Sequence, residues 1–142
     1  MDFLKGIHFR HVVMPEQLRE HYPLLEEGCI RAGGSFAPDV YMLIMQGRVD
    51  FIVGFRDGTP RGFFTCYPVE HPGEPATLHV WHGYIRPGEQ SDGLQAAFSE
   101  LRRVAATRGC QRIAFRTKRK GWARVAKKLD LSLDSYTFVG GL

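Results

Sequence analysis

The sequence predicts an α/β fold of the α+β kind: a single domain, residues 1–142, with a mixed, mainly antiparallel central sheet and helices on both faces. Three observations carry this. Runs 49–58, 60–70 and 76–85 are separated by short turns and read as an antiparallel meander. Past residue 89, helix-spaced and strand-like segments alternate to the end. A chain of 142 residues, 44% apolar, can build one core without disulfides or structural metals.

In order, "GIHFRHVV" (6–13) alternates as a first strand. "MPEQLREHYPLLEEGCIRAG" then places Leu18, Tyr22 and Leu25 at helical spacing. Pro15 suits its opening turn, and Pro23 is expected to divide or kink it. "SFAPDVYMLIMQGR" reads as a second short helix capped by Ser35 or Asp39, with its β-branched content leaving a strand open. "VDFIVGFRDG" and "PRGFFTCYPVE" form a hairpin about Asp57-Gly58, and "HPGEP" is a turn. "ATLHVWHGYI" (76–85) alternates Leu78, Val80 and His82 against Thr77, His79 and Trp81, so in a regular strand His79 and His82 face opposite ways. A helix from near Glu89 sets Leu94, Ala97, Phe98, Leu101 and Ala105 on one stripe and stops at Gly109. "CQRIAFRTK" (110–118) is a short strand, and "KGWARVAKKLDLS" (120–132) a helix with Trp122, Val125, Ala126 and Leu129 on one face. "LDSYTFVGG" (133–141) is a last strand, beside which a bare sheet edge could pair with another copy to give a homodimer.

Cys29, Cys66 and Cys110 are odd in number and widely spaced, as expected of reduced thiols in a cytoplasmic protein. "MDFLKGIHFR" lacks the apolar core of a signal peptide, and the longest apolar run, 40–45, is too short to span a membrane. The six histidines (8, 11, 21, 71, 79 and 82) show no zinc-type spacing, so no metal is expected. The GxxxxGK[ST] and GxGxxG phosphate-binding patterns are absent.

Charge is divided unevenly. Residues 1–100 hold 8 Lys/Arg and 13 Asp/Glu, whereas residues 101–142 hold 11 and 2. The basic segment should attract an anion: an acidic protein partner, a nucleic acid or a phosphorylated small molecule. Nucleic acid is disfavoured, because Trp122 falls on the apolar helical face and leaves no aromatic to stack bases. Solvation of an ordinary helix explains part of the charge but not its single sign.

The run "IRPGEQSDGLQAAFSELRRVAATRG" (85–109) gives a well-patterned helix a long polar entrance. Unpaired amide groups and the aligned peptide dipoles at a helix start favour phosphate oxygens. Gly93 permits close backbone approach, and Arg86 precedes the turn. A plain loop with Asp92 as cap is the competing reading.

With this element order, "QSDGLQ" (90–95), "RIAFRT" and "GWARVAKKLDL", the chain resembles the GCN5-related N-acetyltransferase (GNAT) superfamily. The likeness runs from about Asp50 to Val139 and more loosely over the first 48 residues. "QSDGLQ" lies over the family's pyrophosphate turn, Gln/Arg-x-x-Gly-x-Gly/Ala, with Gln95 where glycine or alanine is usual. The compact form also resembles small proteins of this type from tailed bacteriophages. The resemblance implies acetyl-CoA as cosubstrate, its arm entering between the fourth and fifth strands along Trp81–Tyr84. It implies cofactor contacts from Tyr84, Ile85, Arg86, Gln90, Ser91, Asp92, Gly93, Leu94 and Gln95. Arg119 and Arg124 are candidates for the 3′-phosphate end. Acetyl would pass directly to an amine-bearing small molecule or protein, without an acyl-enzyme. Where the family often has an acidic tyrosine this chain has Ala126, leaving Tyr136 or Tyr84 to substitute; Glu70, His79 and His82 are candidate bases. The location implied is cytoplasmic, the host's if phage-encoded. Ala126 and Gln95 also motivate an alternative: a catalytically inactive phage structural or host-interaction protein.

Overall fold

The computed structural model describes residues 6–32, 35–89, 92–117, 122–132 and 138–141. Its elements are β1 (Ile7–His11), α1 (Pro15–Ala32), α2 (Ala37–Met45), β2 (Asp50–Arg56), β3 (Thr59–Val69), β4 (Thr77–Ile85), α3 (Asp92–Thr107), β5 (Arg112–Phe115) and α4 (Trp122–Lys128). The five strands form one sheet in sequence order. The first four are antiparallel to their neighbours, and β4–β5 is parallel. This is the mixed, mainly antiparallel sheet the sequence predicts.

The helices divide between its faces. On one, Leu18, Leu25 and Cys29 of α1 and Val40 and Ile44 of α2 pack on Phe51, Val53 and Phe63. On the other, Phe98, Leu101 and Val104 of α3 and Leu129, just past α4, pack on Ile52, Phe64, Cys66 and Leu78. Alternate residues of β2 and β3 therefore enter different cores, which explains why those strands are apolar almost without interruption. The Asp57–Gly58 hairpin tip has φ of 52° and 77° at its two residues, the signature of a tight primed turn.

Several expectations are corrected. Pro23 does not divide α1, which runs through it unbroken. Pro23 and Arg19 are both exposed, so water can satisfy the carbonyl that loses its helical donor. Burial of Leu18, Leu24, Leu25 and Cys29, worth about 1.5–3 kcal/mol for each large side chain, outweighs the roughly 3 kcal/mol proline cost. The N-cap of α2 is Phe36, without a side-chain cap from Ser35 or Asp39, and Pro38 in its first turn sets the entry instead. The segment 37–45 is a helix, not the alternative strand. The expected last strand falls partly on 133–137, outside the described residues, and 138–141 carry no regular structure.

Two contacts fix how the layers meet. Gly28 of α1 lies against β3, where a β-carbon would overlap the Phe63 ring and sit 3.1 Å from Tyr84 Cβ. Phe63 cannot retreat, being packed edge-on to Phe51 at 5.4 Å and against Tyr84 at 6.0 Å. At the other end, the Asp50 carboxylate is buried and bonded by Arg108, with Nε to Oδ2 at 2.8 Å, and by His11 Nε2 at 3.1 Å. Burial alone would raise the Asp50 pKa, but the His11 and Arg108 hydrogen bonds outweigh it and the net shift is downward.

Gly28→Ala should destabilise the protein by about 1–3 kcal/mol, since overpacking outweighs alanine's better helix propensity; a thermal melt measures it. Because Asp50 has a lowered folded pKa, its contribution is complete above the unfolded value of 3.8 and fades as pH falls through the folded value. Acid unfolding followed by circular dichroism should therefore shift to higher pH in Asp50→Asn, with the two proteins converging in stability at the acid end.

Candidate active site

The site is built around an irregularity in β4. Thr65 pairs with His82 while Cys66 pairs with Val80, so Trp81 is an extra residue opposite β3. The insertion resets the alternation of side chains. His79 pairs with Tyr67, His82 with Thr65 and Tyr84 with Phe63, and cross-strand partners share a face. All three therefore lie on the α1–α2 side, where Tyr67, Trp81 and Tyr84 also pack. The expectation that His79 and His82 oppose one another fails because it assumed a regular strand.

Beyond the same point β4 loses its other neighbour. Among the described residues, only Thr77–Val80 pair with β5, and Trp81–Ile85 have no strand partner on that side. A cavity of about 840 Å³ opens there and reaches both faces. From the α3 side it is lined by Gly93, Leu94, Ala97 and Phe98, and from the α1 side by Arg31, Ser35, His82 and Tyr84. Its size is in the range of small-molecule sites.

His82 sits in its wall, 6% exposed. Its backbone N–H donates to Thr65 Oγ1 at 3.0 Å, its Nδ1 lies 2.7 Å from the same oxygen, and its Nε2 lies 2.7 Å from Ser35 Oγ. Burial pushes the imidazole pKa down to about 4, so the ring is neutral at pH 7. Tyr84 donates its hydroxyl proton to Glu27 Oε2 at 2.6 Å, which leaves the phenol oxygen as an acceptor. Burial, with the Glu27 bond, raises the Tyr84 pKa. Hydrogen bonds from Arg86 and Tyr84 in turn hold the Glu27 carboxyl below its ordinary value.

The other expected residues are placed as follows. Ile85, Gly93 and Leu94 line the cavity with His82 and Tyr84. Arg86 turns toward α1, with Nε 2.9 Å from Glu27 Oε2 and Nη1 donating to the Pro60 carbonyl. Asp92 is exposed and bonded to Arg56 at 3.0 Å. Gln95 is exposed and lies in a separate shallow groove with Ser99, Arg102 and Lys128. Arg124 is exposed on α4 and does not line the cavity, whereas Arg116 does. His79 is half-buried against Tyr67, its pKa lowered by burial and by Arg116. Glu70 is exposed, just past the end of β3 and five residues from Thr65, so it is remote from His82, which pairs with Thr65. Gln90, Ser91, Arg119 and Tyr136 lie outside the described residues. The buried thiols are poor nucleophiles, burial pushing Cys66 up to about 12.

Sequence reasoning missed the groups that organise the helix entrance. Glu89, its side chain 2% exposed, accepts from Arg56 Nε at 2.6 Å and from Arg61 Nε at 3.1 Å. Both arginines come from the β2–β3 hairpin. A β-carbon on Gly93 would lie 3.3 Å from Glu89 Cγ, so this carboxylate flanks the start of α3. The only local signal was an acidic residue just ahead of a helix, which also fits an ordinary first turn.

Among the described residues no His, Cys, Asp and Glu group is placed to hold a metal, and no helix is long and apolar enough to cross a membrane.

No family model and no curated protein matches the sequence. Solved structures do match the fold. An aminoglycoside N-acetyltransferase, AAC(6')-Iy, in complex with CoA, superposes with a TM-score of 0.77 at 13% identity, over 96% of this chain and 95% of that one. The ribosomal-protein-alanine N-acetyltransferase of Brucella melitensis biovar Abortus 2308 gives 0.74 at 16%, over 96% and 100%. An integron cassette protein from the mobile metagenome of V. cholerae gives 0.68 at 15%, over 94% and 93%. The chain thus has the fold of these acetyltransferases, and nothing in the likenesses points to a bacteriophage origin.

Gly93→Asp should crowd Glu89 and add like charge at the start of α3. If α3 receives phosphates, the substitution weakens CoA binding at least tenfold at a temperature where the fold is retained, although crowding the buried Glu89 lowers the melting temperature; calorimetric titration and a thermal melt measure the two effects separately.

Proposed function

We propose that this protein is an N-acyltransferase that moves acetyl from acetyl-CoA directly to an acceptor amine. The observation that carries this reading is the cavity at the β4–β5 divergence, which runs from the start of α3 through the sheet to His82 and Tyr84. An extended thioester arm fits there beside the stretch of β4 that no described strand pairs with, whose backbone groups offer it hydrogen bonds. The diphosphate end then lies toward Gly93 and Leu94, with Arg116 at the cavity wall supplying positive charge, since Arg61 is engaged by Glu89. The fold it shares with acetyltransferases, one of them solved with CoA, supports the same assignment.

The chain's own residues set what happens next. The acceptor enters from the α1–α2 side and donates an N–H to the Tyr84 oxygen, whose own proton is committed to Glu27. Its nitrogen attacks the thioester carbonyl carbon, the carbon–sulfur bond breaks, and CoA leaves as a thiol with the proton the amine gives up. His82, neutral and a weak base, does not hold that proton. Direct transfer needs no nucleophile from the chain, in keeping with its buried thiols.

Calorimetry with acetyl-CoA should give saturable heat, and thiol release from it should rise when amines are supplied. No binding at millimolar acetyl-CoA overturns the reading; binding without thiol release across a broad amine panel removes the transferase step.

A further inference from the structure

Thr65 is fully buried, and its hydroxyl meets two groups, both on His82: the backbone N–H and the ring Nδ1. The backbone N–H can only donate, so the oxygen accepts there. Among the described residues Nδ1 is then the one acceptor for Thr65's own proton, and no buried side-chain polar atom of those residues lacks a partner. Nδ1 is therefore unprotonated. A neutral imidazole so constrained carries its proton on Nε2, and that N–H points at Ser35 Oγ, 2.7 Å away. Ser35 accepts this bond, and its own hydroxyl proton is free to point into the cavity it lines.

From this proton count we infer that Thr65, His82 and Ser35 form a one-way donor chain ending in a Ser35 hydroxyl that stabilises the oxyanion developing on the thioester carbonyl. The role rests on the acyl-transfer reading above. Each bond polarises the next, so the terminal O–H is a stronger donor than a lone serine. Burial keeps His82 neutral, so the direction of the chain does not reverse. No proton passes along it: the carbonyl oxygen gains negative charge as the amine attacks, Ser35 holds that charge by a hydrogen bond, and collapse expels the thiol.

Two independent experiments test it. Nitrogen-15 chemical shifts of the His82 ring in the parent protein should report the Nε2–H tautomer near pH 7; an Nδ1–H ring overturns the inference whatever the enzyme does. In kinetics, Ser35→Ala should lower kcat about 10²- to 10³-fold, as loss of one oxyanion donor does, with KM for acetyl-CoA within twofold. Ser35→Thr, which keeps a hydroxyl, should recover part of the loss. Thr65→Val removes the hydroxyl that polarises Nδ1 while Nε2–H keeps its Ser35 acceptor, so it should lower kcat less than Ser35→Ala does and add nothing to the Ser35→Ala effect. An unchanged kcat in Ser35→Ala, against a parent that turns over, overturns the donor role and leaves the transferase reading standing. A parent that neither binds nor consumes acetyl-CoA overturns both. Melting curves of each variant separate unfolding from loss of rate.

Discussion

One extra residue in β4 organises this molecule. A strand that must pair with β3 along its length and with β5 over only four residues bends where its register slips, and Trp81 is where it slips. The insertion brings the rings of His79, His82 and Tyr84 to one face, and beyond it no described strand pairs with β4 on the β5 side. The shared face would not follow from a regular strand, because a period of two would send His79 and His82 apart. The aromatic neighbours hold the irregularity in place: Trp81 stacks on His82 at 4.5 Å and meets Tyr67 at 6.3 Å.

Buried charge is handled in one consistent way. Asp50 has Arg108, and Glu89 has Arg56 and Arg61; half-exposed Glu27 likewise has Arg86. Planar guanidinium groups meet carboxylates in fixed geometry, which suits them to such partly desolvated positions. These pairs spend three of the seven arginines of the acidic first hundred residues, Arg56, Arg61 and Arg86, on internal contacts. The basic surplus of the last forty lies elsewhere, with Arg124, Lys127 and Lys128 exposed on α4.

Much of the fold was legible because periodicity reports which face of an element is buried. Leu94, Phe98, Leu101 and Ala105 mark α3, and Asp57-Gly58 marks the hairpin, with no knowledge of what packs against either. Pro23 was misread because a local penalty was weighed without the apolar contacts that exceed it. The site was legible only in part. A bulge leaves no compositional trace: "VWHGY" reads as strand with or without it. The partners that define the chemistry are distant in sequence, 47 residues between Ser35 and His82 and 57 between Glu27 and Tyr84. Arg86 was placed near the helix entrance by adjacency, whereas its side chain crosses to α1. Tertiary geometry decides such pairings, and single-sequence spacing carries no term for it.

The clasp of Glu89 by two hairpin arginines has a consequence for association. Arg61 also donates to the Pro87 carbonyl, and the Arg86 amide donates to the Arg61 carbonyl, so the stretch 86–89 is tied to the hairpin by side chain and backbone alike. Its conformational entropy is surrendered when the chain folds, not when a visitor arrives. A guest at this end of the cavity meets a wall already set, and the affinity it gains is not diminished by the work of arranging that wall.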